Sequence, residues 1–199
     1  MDQIYTIGCS THTIEGFLNI LGNYNIDTIV DVRSIPFSRY TPQFNQDNLE
    51  KMLSSKRIHY LDFSEEFGAR RKEKEVYSDG IVDFNKVRTL DVFLRGITRI
   101  EKGISKNYRI ALLCTEKDPI NCHRSLLVSR TLSDILKINI RHILFDGNII
   151  EHHNFEQKML KLSGLETDMF MTDTQKLLND AYEIFSKKVA YKDEEDIDE

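Results

Sequence analysis

The chain has 199 residues and a formal net charge of −5, and its 40% hydrophobic and 30% charged residues are typical of a globular protein with one main domain. Six acidic residues lie in the final stretch DEEDIDE, so the body is about neutral, which argues against a broad electrostatic surface for nucleic acid. No apolar run approaches the roughly 20 residues that cross a bilayer, and the N-terminal MDQIYTIG does not have the pattern of a signal peptide, so we expect a cytoplasmic protein with no membrane partner.

The first part of the chain alternates strand-like and helix-like segments. Apolar runs and helical spacing predict, in order, a strand at 4–8, a helix with Thr13 as its candidate cap, a strand at 27–33, a polar helix at 45–56 and a strand at 57–63. Residues 64–82 have no sustained period, so they predict a long loop with room for one helical turn.

The same alternation continues in the second part of the chain. It predicts a helix at 84–103, an apolar and therefore central strand at 108–114, a helix at 122–136, a strand at 139–144 and a helix at 151–163. An apolar stripe from Leu177 to Val189 predicts a last helix at 173–190, which would pack on the body or meet a partner chain.

This order of elements predicts an α/β fold with an open, mostly parallel five-stranded sheet, helices on both faces and a C-terminal helical extension. We expect a Rossmann-like or flavodoxin-like sheet in which the first and fourth strands are central. Such sheets bind ligands beyond the carboxyl ends of their strands. The α/β domain would span residues 1–163, and residues 164–199 would form a helix and an acidic disordered tail.

Polar residues collect where three of the predicted strands end, and therefore at one edge of the sheet. They are Cys9, Ser10, Thr11 and His12 after the first strand, Asp31, Arg33 and Ser34 after the second, and Cys114, Thr115, Glu116, Cys122, His123 and Arg124 after the fourth. Asp31 and Arg33 share one face of their strand. They either form a structural ion pair or present Arg33 to an anion, with Asp31 orienting it.

The connection after the fourth strand has features of an anion site. Asp118 and Pro119 are typical of a helix N-cap followed by proline, so we expect Cys122 in or near a first helical turn. The helix dipole favours anions there and lowers a thiol pKa, and Arg124 adds positive charge. The alternative is that Cys122 packs against the sheet while Arg124 pairs with Glu116 or Asp118.

The cysteines of a chain in a reducing compartment are expected to be free thiols, ligands or redox groups. Cys114 ends a strand, as the nucleophile of rhodaneses and cysteine phosphatases does. In the phosphatases, however, five residues separate the cysteine from the arginine that follows it, whereas nine separate Cys114 from Arg124. In addition, the carboxylates of Glu116 and Asp118 would raise the pKa of the Cys114 thiol. Glu116 itself is either an acid/base group or a surface carboxylate.

Zinc is an alternative that the residue types allow. The chemically suitable ligands are Cys9, His12, Cys114, Cys122 and His123. No pair of them shows the usual C-x2-C or H-x3-H spacing, so we predict no metal and no cofactor. The chain also lacks the G-x-S-x-G, G-x-G-x-x-G and P-loop lysine motifs, so a serine hydrolase and a typical nucleotide cradle are unsupported.

Two loops extend the candidate site. The stretch FSRYTPQFN carries Arg39, Tyr40 and Asn45, and such groups suit a base or nucleotide and, nearly as well, a protein contact. The stretch GARRK at 68–72 either supplies phosphate contacts or is a solvated loop.

Several stretches together resemble one family. TIGCSTHTIEGFL, VDVRSIPFSRYTPQFN, FGARR, and LLCTEKDPINCHRSLLVSRTL followed by RHI are similar to motifs of the bacterial family called domain of unknown function 488, across residues 3–145. The resemblance implies a compact α/β domain and names no reaction. It places motif positions at Ser10, Thr11, Asp31, Arg33, Pro42, Phe44, Asn45, Cys114, Glu116, Pro119, Cys122, His123 and Arg124. The family usually has histidine where this chain has Cys9.

The leading hypothesis is an enzyme-like domain that binds a small anionic, nucleotide-like ligand at the strand ends. The expected catalytic residues are Glu116, Cys114 and Asp31, and the expected ligand-binding residues are Ser10, Thr11, His12, Arg33, Arg39, Asn45, Cys122, His123 and Arg124. One alternative is a nucleic-acid-binding module that uses the loops at 36–45 and 68–74. Another is a scaffold that forms a homodimer through residues 173–190.

Overall fold

The structure is a computed structural model that describes residues 3–165 and 173–193. The predicted acidic tail falls almost entirely on residues 194–199, outside the described part of the chain. The boundary proposed at residue 163 coincides with the end of a helix, but the division into two parts stays a prediction.

A six-stranded sheet forms the centre of the molecule. The described residues form eight strands in all: β1 (Gln3–Gly8), β2 (Thr28–Asp31), β3 (His59–Asp62), β4 (Tyr77–Ser78), β5 (Ile81–Val82), β6 (Ile110–Cys114), β7 (Asn139–Ile143) and β8 (Ile149–Glu151). The sheet order is β3-β2-β6-β1-β7-β8, all parallel except β8, while β4 and β5 form a separate antiparallel hairpin. The α/β class and the central first and fourth predicted strands, β1 and β6, are confirmed.

The prediction of five strands in the sheet was one too few. The missing strand, β8, has three residues and returns from β7 through a tight turn around Gly147, whose φ is +84°. A strand this short has no measurable alternation, and the pairing with β7 supplies its stability. The loop predicted at 64–82 likewise contains the β4–β5 hairpin, which pairs with residue Lys192 from the far end of the chain.

The helices lie on both faces of the sheet, as predicted. They are α1 (Ile14–Asn23), α2 (Gln46–Ser55), α3 (Ser64–Phe67), α4 (Phe84–Val87), α5 (Asp91–Ser105), α6 (Arg130–Leu136), α7 (His152–Ser163) and α8 (Thr174–Val189). Thr13 caps α1 by accepting a hydrogen bond from the Gly16 N–H at 3.1 Å. The single helix predicted at 84–103 is two helices, because Leu90 is extended (ψ 137°) and starts α5 afresh.

Alternation along the central strands divides the apolar core into two parts. Leu112 and Val30 face the side covered by α5, α6 and α8, whereas Leu113 and Ile29 face α1 and α2. All four side chains are fully buried. Burial on both faces explains why these strands are continuous apolar runs in the sequence.

The segment before α6 has an unusual helical geometry. Cys122 is extended, and its carbonyl accepts the N–H groups of Ser125 and Leu126, so the helix starts afresh there instead of continuing from the Pro119 turn. Residues Arg124–Ser129 form a π-helix, in which the Ser129 hydroxyl donates to the Arg124 carbonyl at 2.7 Å. Such wide turns are frequent at functional sites.

The C-terminal helix α8 packs on the body of its own chain. Its residues Ala181, Tyr182 and Phe185 are buried, and they join the core next to α7 and the π-helix. Asp173 caps the helix by accepting the Gln175 N–H at 3.0 Å. Because the body covers this apolar stripe, a homodimer through residues 173–190, which stays a prediction, would have to use the outward face.

A buried chain of hydrogen bonds connects β1 to α8. Thr6 Oγ1 lies 2.9 Å from Nδ1 of His142, whose Nε2 lies 2.9 Å from Nδ1 of His152. The Tyr182 hydroxyl lies 3.2 Å from Nε2 of His152 and donates to Glu156 at 2.8 Å. Polar groups this deep are stable only when they are paired, so the chain of bonds fixes α7 and α8 against the sheet.

The described helices include none that combines the length and the apolar character needed to cross a membrane.

Candidate functional site

An open cavity of about 640 Å³ lies beyond the carboxyl ends of β2 and β6. We call it the strand-end cavity. Its lining residues are Arg33, Ser34, Ile35, Phe37, Ala69, Arg70, Cys114, Thr115, Glu116, Asn121, His123, Lys188, Val189 and Tyr191. Four of the predicted site residues therefore line one cavity: Arg33, Cys114, Glu116 and His123.

The guanidinium of Arg33 folds back onto the carboxylate of Asp31. Its Nε donates to both carboxylate oxygens, at 2.9 and 3.0 Å, and the Tyr60 hydroxyl donates to the same carboxylate at 2.8 Å. Arg33 and Asp31 are both buried. The sequence left two interpretations of this pair open, a structural ion pair and an arginine that faces the ligand site. Arg33 fits both, because it is ion-paired with Asp31 and also borders the cavity.

Two thiols and an imidazole meet at the floor of the cavity. The ligand atoms of Cys114, Cys122 and His123 all lie within 4.8 Å of one another, and all three residues are buried. We call this group the thiol–imidazole cluster. Nε2 of His123 lies 2.8 Å from the carbonyl oxygen of Val32, and Nδ1 lies 3.8 Å from Sγ of Cys114. A carbonyl can only accept, so Nε2 carries a proton, and Nδ1 is the ring nitrogen that faces the thiols.

The two thiols ionise very differently. The contact with Cys122, together with burial, raises the pKa of the Cys114 thiol well above its ordinary value. Burial also opposes ionisation of Cys122, but its contact with Cys114 and the charges of Arg124 and His123 outweigh burial and lower the pKa of the Cys122 thiol. Burial would lower the pKa of His123, but the contact with Cys122 raises it. Of the two thiols, Cys122 is therefore the one that ionises more easily, and it is also the more deeply buried.

Arg124 supports the site from below and does not line the cavity. It is fully buried, and its Nη1 donates to the carbonyl of Glu116 at 2.7 Å. The alternative pairing with the carboxylates of Glu116 or Asp118 is absent among the hydrogen bonds and ion pairs of the described residues; Asp118 instead caps the Pro119 turn. The guanidinium thus holds the loop that carries Glu116.

Glu116 stands on the cavity wall with an exposed side chain. Partial burial and the neighbouring Cys122 raise the pKa of its carboxyl, and the charges of Arg124 and His123 oppose that effect only in part. A raised pKa shifts the titration of a carboxyl in the direction that acid/base groups require.

The end of α8 forms a wall of the cavity that was not expected from the sequence. Lys188 and Tyr191 line the cavity, although they lie more than sixty residues after Arg124. The backbone after α8 is held in place by the β4–β5 hairpin: the Tyr191 carbonyl accepts the Val82 N–H at 3.0 Å. No local pattern indicates this contact, because it depends on long-range pairing.

One member of the GARRK stretch lines the cavity and another does not. Arg70 is exposed, and its guanidinium lies 5.1 Å above the Tyr191 ring. Arg71 is buried, is paired with Glu73 and donates to the carbonyl of Glu65. Arg70 is therefore available to a ligand, whereas Arg71 fixes the loop.

Five further predicted ligand-binding residues lie outside the lining. Ser10 joins the end of β1 to the site through its N–H, which donates to the Thr115 carbonyl at 2.9 Å, and Thr11 is exposed beside it. His12 is buried and stacks on Phe145, with ring centroids 4.2 Å apart. The other two belong to the loop before α2: Arg39 is exposed, and Asn45 accepts the Ser38 N–H at 2.7 Å.

The thiol–imidazole cluster could hold a metal ion. Sequence spacing does not reveal it, because Cys114 ends a strand and Cys122 begins a helix, and only the return of the loop brings the two sulfurs together. Cys9 and His12, the other two suitable ligands, are not part of the cluster.

Comparison with known families gives one match. The family described as "Domain of unknown function DUF488" matches residues 13–131, which include β2, β3, β6 and the thiol–imidazole cluster. No curated protein matches the chain, and no solved structure does.

Proposed function

The chain belongs to the DUF488 family, whose description names no activity, and we propose that its strand-end cavity binds a small anionic, nucleotide-like ligand. The charge of the lining carries this proposal. Arg33, Arg70 and Lys188 are lining cations, and Glu116 is the one acidic residue among the lining residues. A cavity with this balance attracts anions.

Two of these cations are free to meet a ligand. No carboxylate in the described ranges lies within ion-pair distance of Arg70 or Lys188. Both side chains are exposed, so a ligand does not have to displace an existing partner. Arg33 differs, because Asp31 already neutralises it, and its contribution is to fix the rim of the cavity.

Flat side chains at the mouth favour a ligand with a ring. Phe37 is 63% exposed although it lines the cavity, and Tyr191 also lines the cavity, with the Arg70 guanidinium above its ring. Exposed aromatic rings and guanidinium planes stack on nucleobases, with about 1–3 kcal/mol for each base. A phosphate near Lys188 would use the positive charge of the lining, and a base near Phe37 would use its aromatic rings.

Within this site we assign acid/base chemistry to Glu116. Its carboxyl borders the cavity, and its pKa is raised toward neutrality. The protonated state of Cys114 does not favour a thiolate nucleophile there, because its pKa is raised well above the ordinary value. Asp31 is fully engaged by Arg33 and Tyr60, so its part is to orient Arg33.

The test compares two neighbouring lysines by calorimetric titration with a panel of nucleoside monophosphates and diphosphates and an uncharged nucleoside. Lys188→Gln removes a lining cation, and Lys187→Gln removes a cation that pairs with Glu183 on the outside of α8. We expect a Kd about tenfold higher for Lys188→Gln, since a charged hydrogen bond contributes about 1.5–3 kcal/mol. Lys187→Gln should bind as the wild type does.

The proposal fails if none of the nucleotides binds, or if the two variants lose affinity equally. Tighter binding of the uncharged nucleoside than of its phosphates would also contradict it, because the positive lining would then have no effect.

A nucleic-acid-binding module is the second candidate, favoured by Tyr40. This side chain is 95% exposed, next to exposed Arg39 and close in sequence to Phe37. Exposed aromatic and cationic groups suit unpaired bases. Fluorescence anisotropy with a labelled single strand at low salt tests it: Tyr40→Ala should weaken binding at least fivefold, and no binding by the wild type removes this candidate.

A further inference from the structure

We propose that Cys114, Cys122 and His123 form a zinc site whose remaining coordination position faces the strand-end cavity. The proposal goes beyond anion binding and does not depend on it, because the three donors are side chains of the protein itself. It concerns the thiol–imidazole cluster, whose three potential ligand atoms all lie within 4.8 Å of one another.

The spacing of the donor atoms fits one tetrahedral ion. Zinc binds sulfur at about 2.3 Å and imidazole nitrogen at about 2.0–2.1 Å, so two ligands of the same ion lie roughly 3.5–3.8 Å apart. Sγ of Cys114 lies 3.8 Å from Nδ1 of His123, and no pair in the cluster exceeds 4.8 Å. Small side-chain rotations are therefore sufficient to close the site.

The imidazole is already oriented as a metal ligand. Its Nε2 is engaged with the Val32 carbonyl at 2.8 Å, which leaves Nδ1 as the coordinating atom. Metal-binding histidines nearly always donate their second N–H to a carbonyl or carboxylate in this way, and that bond fixes both the tautomer and the ring plane. Val32 immediately follows β2, so the neighbouring strand orients the ligand.

The donor set selects zinc over the common hard cations. Two sulfurs and one imidazole nitrogen suit zinc, whereas calcium and magnesium require oxygen ligands. Two thiolates also balance the charge of a divalent ion in this buried place. Three protein ligands are typical of catalytic zinc, in which water or substrate takes the fourth position.

The fourth position would face the cavity. Cys114 and His123 both line it, while Cys122 lies deeper and is fully buried. An ion held by these three residues would therefore lie at the cavity wall, on the side that Glu116 also borders. An anionic group or a water molecule in the cavity can reach that position.

The test uses the full-length chain, reduced, stripped with a chelator and titrated with Zn²⁺ and separately with Co²⁺. We expect one zinc per chain and, with Co²⁺, thiolate charge-transfer absorption together with the strong visible bands of a tetrahedral ion. Cys122→Ser should weaken zinc binding at least 100-fold. Cys9→Ser is the matched control, because Cys9 is also a buried free thiol but belongs to the core on the α1 side, so this variant should bind as the wild type does.

Two results would overturn the proposal. One is the absence of zinc and of a tetrahedral cobalt spectrum in the reduced wild type, a result that does not depend on whether a variant folds. The other is a folded Cys122→Ser variant that binds zinc as tightly as the wild type does, which would place the ion outside the thiol–imidazole cluster. Titration of the metal-free protein with nucleotides tests anion binding by itself, so a failure of the zinc proposal can be distinguished from a failure of the anion-binding proposal.

Discussion

Gly8 and Glu116 approach each other so closely that a Cβ on Gly8 would lie 1.9 Å from the Glu116 carbonyl oxygen. Two backbones, the end of β1 and the loop after β6, therefore touch where glycine alone leaves room. We expect Gly8→Ala to lower the free energy of unfolding by about 2–4 kcal/mol, since the loop must move and overpacking alone costs about 1–3 kcal/mol. Urea denaturation measures this change.

Gly22→Ala is the control for that measurement. Gly22 lies in α1, and a Cβ there meets no atom within 4 Å. Alanine should stabilise this helix by about 0.5–1 kcal/mol, because glycine is the poorer helix former. Equal stability of the Gly8 and Gly22 variants would show that the loop after β6 yields easily.

Asp31→Asn should be strongly destabilising. The change leaves Arg33 buried next to a neutral amide, and removing one partner of a buried ion pair costs about 3–5 kcal/mol. Tyr60→Phe removes one hydrogen bond to the same carboxylate and should cost about 1–2 kcal/mol. Asp62→Asn, at the exposed neighbour of Asp31 in β3, should change stability least. If thermal unfolding shows Asp62→Asn to be as destabilising as Asp31→Asn, this explanation is wrong.

His142 in β7 and His152 at the start of α7 are both buried, and they predict a loss of stability in acid. Burial lowers the pKa of His152 to about 4, and burial together with His152 and Arg124 lowers that of His142 well below its ordinary value. The unfolded chain then binds more protons than the folded one below about pH 6.5. Stability is therefore full above that pH and is lost as the pH falls toward 4, by about 3 kcal/mol from His152 alone.

Denaturation between pH 4 and 7 tests this dependence. His152→Gln should flatten the slope, since glutamine has no proton to gain. His153→Gln changes the exposed neighbour and should leave the slope as in the wild type. An unchanged slope in His152→Gln would show that other groups cause the acid sensitivity.

Glu116→Gln should strengthen the binding of simple anions. Sulfate is a suitable probe, because it does not change its own charge between pH 5 and 8. Protonation of the carboxyl removes a negative charge from the cavity wall, so wild-type affinity should rise as the pH falls through the raised pKa of Glu116. The variant should bind sulfate about threefold to tenfold more tightly at pH 8, with a flatter pH dependence, consistent with about 1 kcal/mol between exposed charges. Weaker binding by the variant would exclude a repulsive carboxylate.

Apolar patterning predicted the order of the elements because it reports burial on each face of the sheet. The runs that became β1 and β6 are central strands for that reason. The same patterning failed at β8, at the hairpin and at Leu90, where long-range pairing or a local backbone change decides the structure. These features leave no period in the sequence.

The candidate site, too, could be predicted only in part from the sequence. Four of its lining residues, Arg33, Cys114, Glu116 and His123, could be predicted, since they follow strands whose ends meet at one edge of the sheet. The proximity of the two sulfurs could not be predicted, because seven residues separate Cys114 from Cys122 and a loop of that length can hold its ends at many distances. The π-helix after His123 has no known sequence signal in this chain.

The matched family region ends at residue 131, yet Lys188 and Tyr191 form part of the cavity wall. The floor of the site is thus built from the shared sequence, and one wall comes from a segment outside it. In the function proposed above, mutations near residue 190 would change which ligands the cavity admits and would leave the thiol–imidazole cluster as it is. Ligand selectivity and the donor set of the cluster could then evolve at separate rates in this chain.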